Sequence, residues 1–357
     1  EGNEAVPRLI EALHRMEVKQ VATGYGHSMV LTRDGDVFTW GWGRYGQLGH
    51  GNTDRQLVPK RVEGLANVTD IAGGSMHNIA VGEGETVYTW GSSFNGQLGL
   101  GDHGMGTNRN VPTEVPGVNG VVAVAAGSYH SFALSRDGTV MACGTNTCGQ
   151  LGLGDTDDRD TFTVVAGLRG VVDIDAGHYH TIAVTAEGGL YTWGKGQAMG
   201  HGGDGDTQRL VPTKVTGGGI DEAAVVQVAA GDNHSMALTA SGELYAWGRG
   251  DDGQLGHGGK ENLAVPRVVD GIEGAVVGMA GGVDHSLVTT AEGRVLAFGS
   301  NGEYEEEDSD GEELDEPIFA ADGRLGLGAG VKQALSPTAI DEITMGGGGE
   351  EGKEGKE

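Results

Sequence analysis

Cysteine is almost absent, with Cys143 and Cys148 the only two in 357 residues. That scarcity excludes a disulfide framework and a four-cysteine zinc site, and makes a reducing interior, cytoplasmic or nuclear, the expected setting. Positive charge is in deficit: 23 Lys and Arg stand against 51 Asp and Glu, a formal net charge of −28. A surface that follows phosphates by displacing counterions needs the opposite balance, so no DNA or RNA partner is expected and anionic membranes are disfavoured. No apolar run reaches the roughly 18 residues of a membrane helix, so no membrane insertion is expected. The first residues, Glu1-Gly2-Asn3-Glu4, do not form a signal peptide and read as the interior of a longer chain. Aromatic residues make up 5% and prolines number 8, whereas glycines number 69, a composition of short strands and tight turns rather than long helices.

What the sequence does hold is one phrase repeated six times. Its first copy runs Gly24-Tyr25-Gly26-His27-Ser28, then Asp34-Gly35, Trp40-Gly41 and Gly46-Gln47-Leu48-Gly49. The histidines recur as His27, His77, His130, His180, His234 and His285, at spacings of 50, 53, 50, 54 and 51. The Trp-Gly step returns at Trp90, Trp193 and Trp247, with Cys143-Gly144 and Phe298-Gly299 in its place twice. Between these marks, three or four short segments alternate with period two, as in Val121 to Ala125 and Gly138 to Ala142. Asp-Gly, Glu-Gly and Ser-Gly dipeptides separate them and supply the positive φ of tight hairpins. A unit of about 50 residues with four antiparallel strands is one propeller blade, which buries both faces only when a neighbour packs on each side.

The Ala-Gly-x-x-His-Ser, Trp-Gly and Gly-Gln-Leu-Gly elements resemble the regulator-of-chromosome-condensation repeat family from about Val6 to Ile343. The resemblance implies an all-β propeller over residues 1–345, usually of seven blades, whereas six repeats are evident here. Six histidine elements accompany seven Pro-x-x-Val-like elements, from Val6-Pro7-Arg8-Leu9-Ile10 to Ser336-Pro337-Thr338-Ala339-Ile340, so the blade count stays open between six and seven. Gly2 to Pro7 reads like the tail of a missing unit. Two stretches depart from the repeat. An insertion at 303–322 holds ten acidic and no basic side chains over 303 to 316, the pattern of a disordered loop, and 346–357 is a flexible Gly/Glu/Lys tail.

Little in the sequence supports catalysis. One histidine per blade spreads six imidazoles around a ring, which suits buried rings bonded to neighbouring backbone better than a metal site. The Trp-Gly indoles read as packing between blades, and Cys143, in a Trp slot, as a small buried hydrophobe. No phosphate-binding loop and no Gly-x-Ser-x-Gly elbow occurs. The expectation is therefore a non-enzyme without cofactor or metal. In the acidic insertion, Ser309 is followed by Asp310 and Glu312, a context for acid-directed phosphorylation, and the same strip suits a basic protein segment.

The two variable residues inside each Ala-Gly-x-x-His element carry the specificity of a fixed scaffold. Those singled out for protein binding are Tyr25, Met76, Tyr129, His178, Tyr179, Asp232 and Asp284. If they share one face, the first four blades present aromatic and methionine side chains and the last two present acids; partial burial within blade loops is the alternative. The family resemblance implies two functions. One is a protein-interaction scaffold within a larger assembly, as in the family's ubiquitin ligases and its cilium-associated members with Glu-Gly-rich extensions, which extends the expected setting to the cilium. The other is nucleotide exchange on a small Ran-like GTPase. The acidic charge speaks against chromatin docking, and the absence of Trp and Arg from all twelve variable positions speaks against ultraviolet reception.

Overall fold

The computed structural model describes residues 6–203, 205–302, 324–327 and 331–340. The insertion at 303–322 with Ser309, and the tail 346–357, lie outside the described residues. Six four-stranded antiparallel sheets follow one another as the blades of a propeller, each in simple up-and-down order, and the open choice between six and seven resolves to six. Blade 1 comprises Val18–Thr23, His27–Thr32, Val37–Gly41 and Gln56–Arg61. The inner strands of blades 2 to 6 are Asp70–Gly73, Val121–Ala126, Val171–Ala176, Val225–Ala230 and Val276–Gly281. All six inner strands line a central channel of about 430 Å³. The described residues contain no α-helix, only three 3-10 turns.

Apolar alternation places the core between blades. In one junction Phe132 of blade 3 meets the indole of Trp193 in blade 4 edge-on, with ring centroids 6.1 Å apart, inside a cluster that also buries Leu134, Leu151 and Ile174. The repeated polar residues clasp the same junctions. Ser131, second in the second strand of blade 3, donates its hydroxyl to the Gln97 carbonyl of blade 2 at 2.8 Å. That leaves the oxygen free to accept from His77 Nε2 at 2.9 Å. Ser235 serves His180 in the same way at 2.9 Å, Ser286 serves His234 at 2.8 Å, and Asn78 serves His27 at 2.7 Å. The Trp90, Trp193 and Trp247 indoles donate to the carbonyls of Gln47, Gln150 and Ala198, at 3.0, 2.8 and 2.7 Å. Four of the six repeat histidines, His27, His77, His180 and His234, thus reach side chains of the next blade rather than neighbouring backbone, because the partner's own proton is already engaged on the preceding blade. Cys143 is buried in its Trp slot with its thiol toward the Gln97 carbonyl.

The glycine ahead of each histidine follows from the same closeness. A Cβ on Gly177 would overlap both the His180 ring and the Gly231 carbonyl of blade 5, and backbone cannot swing aside. Gly177→Ala is expected to cost about 3 kcal/mol as overpacking, read as a lowered urea midpoint. An unchanged midpoint would show that the blades can part at that point.

Candidate protein-binding face at the channel mouth

Each Ala-Gly-x-x-His turn closes by a glycine N–H donating to the histidine carbonyl, as in Gly127 to His130 at 3.0 Å. The first variable residue then ties its turn to the next blade. Tyr25 N–H donates to Ser75 O, Ser75 to Ser128, Ser128 to Gly177, His178 to Asp232 and Asp232 to Gly282, at 2.9 to 3.3 Å. The variable pairs therefore share one face, around the channel mouth, on a run of five backbone hydrogen bonds that fixes their spacing. The residue after each Trp-Gly step is held to the same face. Trp42, Ser92, Thr145, Lys195, Arg249 and Ser300 each donate a backbone N–H to the second variable residue of their own blade.

On blades 3 to 5 the side chains converge. Tyr129 and Tyr179 are 39% and 44% exposed. His178 stands between them, edge-on to Tyr129 at 5.7 Å and tilted against Tyr179 at 4.1 Å. Its Nδ1 lies 3.9 Å from a carboxylate oxygen of Asp232. Partial burial, with Tyr179 and Asp232 nearby, pushes the Tyr129 phenol above its usual pKa, so it remains a neutral donor. Tyr25, 54% exposed, occupies the blade 1 position, with Trp42 beside Gly26. Met76 is half-buried and its sulfur takes a hydrogen bond from Gln47 Nε2 at 3.6 Å.

Asp284 does not join this surface. It is 3% exposed, with Arg249 at 3.2 Å and Arg324 at 4.0 Å from its carboxylate. A carboxylate so deep in the fold needs cationic neighbours, and Arg249 supplies one while also engaging Asp251 and Asp252, each at 3.1 Å. The acidic end expected on blades 5 and 6 thus reduces to Asp232, with the charge of blade 6 neutralised. The residues after Trp-Gly were missed from sequence, although the signal is visible: that position varies in register with the repeat while the glycine before it does not.

Inside the channel, carboxylates join blades. Asp173 and Asp175 accept the backbone N–H groups of Val228 and Ala230, each at 2.8 Å, and Asp70 accepts that of Val124 at 2.8 Å. Burial raises the pKa of Asp173 to about 6 and of Asp175 to about 7, against the opposing pull of those N–H donors. No group of three His, Cys, Asp or Glu among the described residues is arranged to hold a metal ion. No helix among them is long and apolar enough to cross a membrane.

Comparison with known proteins places this geometry. The model for the regulator of chromosome condensation (RCC1) repeat matches residues 34–81, 85–134, 137–184, 187–238 and 241–289. A second model of the same description matches 18–47, 121–150, 171–198 and 225–254. The human E3 ubiquitin-protein ligase HERC2 is 33% identical over 79% of this chain, and the match covers 5% of the ligase. The ultraviolet-B receptor UVR8 of Arabidopsis thaliana is 31% identical over 83% of this chain and 56% of the receptor. Among solved structures, human WBSCR16 superposes with a TM-score of 0.79 at 24% identity, covering 94% of this chain and 84% of that one. Prp20p of Saccharomyces cerevisiae, described with its binding to Gsp1p and histones, gives 0.76 at 24% identity, covering 94% and 80%.

Proposed function

The chain belongs to the regulator of chromosome condensation repeat family, and on that premise we propose that it is a non-catalytic protein-binding scaffold whose channel-mouth face receives a basic protein segment. The observation that carries this reading is the cluster of Tyr129, His178, Tyr179 and Asp232, two exposed phenols around an imidazole beside a carboxylate. Aromatic faces next to an acid attract Lys or Arg, and Tyr contributes large contact area at small rotamer cost. The net charge of −28 adds long-range steering toward a cationic partner. The backbone hydrogen bonds beneath the cluster lower the ordering cost of binding. Ligase activity belongs to proteins of which this chain matches a small part, and it is not carried over.

Paired substitution tests the reading. Tyr129→Ala with Tyr179→Ala is expected to weaken a stoichiometric partner by about 2 kcal/mol or more, roughly thirtyfold in Kd, while the far-ultraviolet spectrum stays unchanged. Affinity for a basic segment should also fall as salt rises. Retention of the partner by the double variant removes the face from the account. Recovery of a small GTPase, held best without nucleotide and released faster from its nucleotide by this chain, would make exchange the function instead.

A further inference from the structure

The loop after Trp-Gly is built alike in blades 1, 2, 3 and 5 and differently in blade 4. In those four blades a glutamine stands seven residues after the Trp position, as Gln47, Gln97, Gln150 and Gln254. Each side-chain oxygen accepts the N–H two residues back, of Tyr45, Asn95, Cys148 and Asp252, at 2.8 to 3.0 Å. In blade 4 that place belongs to Ala198, five residues after Trp193. The equivalence is structural, since the Ala198 carbonyl takes the Trp247 indole as the Gln150 carbonyl takes that of Trp193. The blade 4 loop is thus two residues shorter and has no side-chain acceptor to close it. Space opens where the residues are missing. A Cβ on Gly43 or Gly250, three residues after their Trp, would overlap a carbonyl of its own blade, whereas one on Gly196 meets only the Ala198 nitrogen at 4.0 Å.

Beside Gly196 lies a cavity of about 190 Å³ between blades 4 and 5, whose lining includes Lys195, Gln197, Asn233, Arg249, Asp251 and Asn262. Pockets for small molecules run to roughly 300 Å³ and more, so this one is sized for a single side chain. Lys195 and Arg249 are the only Lys or Arg in the twelve variable positions and the six that follow Trp-Gly. Arg249 is held by Asp251 and Asp252 at 3.1 Å and by Asp284 at 3.2 Å. Lys195 has no comparable partner: among the described residues its one ion pair is with the exposed Asp206, 4.0 Å away, and such a pair contributes little. The half-buried Asn233 side chain makes no hydrogen bond among the described residues. Asn262 accepts the Gly250 N–H at 2.7 Å through Oδ1, which leaves its NH2 to donate. The cavity adjoins the tyrosine cluster through the backbone, because Lys195 N–H donates to the Tyr179 carbonyl at 2.8 Å and Asn233 directly follows Asp232.

We propose that this cavity binds the carboxylate of an Asp or Glu side chain in the protein segment that docks on the channel-mouth face. The acid stands a few residues from the cation held at Tyr129, His178, Tyr179 and Asp232. Lys195 supplies the charge, Asn233 and Asn262 supply amide donors, and Arg249 offsets the one carboxylate of the lining, Asp251. The preferred segment therefore carries both signs, Lys or Arg with an acid at a fixed spacing, rather than being uniformly basic. A run of Lys or Arg is disfavoured, because it brings a third cation against Lys195 and Arg249. The proposal rests on the reading of this face as a protein-binding surface.

Selection of a random-peptide library displayed on phage against the full chain tests it. The wild type should enrich Lys or Arg with Asp or Glu at one fixed spacing, and Lys195→Glu should lose the acid while keeping the base. A synthetic peptide of the selected sequence gives the magnitude. Changing its acid to the amide should raise Kd at least about fivefold on the wild type and less than about twofold on Lys195→Glu. A second variant fills the cavity and leaves Lys195 in place, by replacing Gln197 and Ala198 with a copy of residues 94–97 of blade 2. It should lose the acid preference as fully, with Tm unchanged or raised. An acid preference that survives either variant overturns the proposal, as does a wild-type selection that enriches bases alone. Those outcomes leave the protein-binding face standing where binding still falls with Tyr129→Ala and Tyr179→Ala. Binders indifferent to those two substitutions, yet dependent on their acid and on Lys195, uphold the cavity and remove the cluster. No enrichment at all overturns both.

Discussion

Acidification from pH 7 to between pH 5 and 4 is expected to unfold the propeller. Burial holds His77, His130 and His234 down to about 3 and His180 and His285 to about 4, from an ordinary 6.5, and lowers His27 as well. The clasps explain why protonation is so costly. Each paired ring donates through Nε2, so the incoming proton must go to Nδ1, which is buried without a partner in His27, His77 and His234. Because the folded pKa lies below the unfolded one, this stability is complete above pH 6.5 and is lost as pH falls toward 4 and 3. At pH 5 each strongly shifted ring costs roughly 2 kcal/mol, and five together roughly 10. Asp173 and Asp175 act in the opposite sense. Their raised pKa values, about 6 and about 7, favour the folded state as pH falls through 7 toward 4, recovering roughly 4 kcal/mol at pH 5. The histidines win by number, and the net loss is comparable to the whole stability of an ordinary domain. A pH titration followed by circular dichroism should show cooperative loss of structure in that window. A fold intact at pH 3.5 would mean that the rings find partners for Nδ1 that the structure does not show.

Much of this architecture is legible in the sequence because its causes are local and repeated. The Asp34-Gly35 turn requires positive φ, and Gly35 has φ 82°. The glycine of Trp193-Gly194 reads as a repeat mark, and its φ of 106° with the Tyr179 carbonyl beside its Cα explains why no other residue stands there. Six histidines at near-even spacing state that the clasp exists, while its partner is hidden, because Ser, Thr and Asn all stand in the slot and only packing shows which of them serve. Thr181 illustrates the limit. It occupies the hydroxyl slot and donates to Gln150 at 2.8 Å, yet both ring nitrogens of His130 are buried without a partner. Asp284 was illegible for a related reason, since an acid in a variable turn reads as surface until Arg249 and Arg324 are seen closing on it. Asp173 and Asp175 sit in alternating strands where acids ordinarily face water, and their role as blade-joining acceptors emerges only once the channel is formed.

Trp193→Ala and Trp40→Ala, identical changes at identical places in the repeat, are expected to differ several-fold in cost. Trp193 is fully buried, packs on Phe132 and donates to Gln150. Its removal leaves a cavity and one fewer donor on a buried carbonyl, about 4 kcal/mol in all. Trp40 is half-buried and has neither the ring contact nor the bond, so its removal should cost about 1 kcal/mol. Urea midpoints of the two variants give the comparison directly, and it does not require unfolding to be two-state across the repeats. The contrast matters because sequence alone predicts equality. A difference locates energy in the neighbour each blade packs against rather than in the repeat itself, whereas equal losses near 4 kcal/mol would mean that blade 6 covers blade 1 as fully as blade 3 covers blade 4.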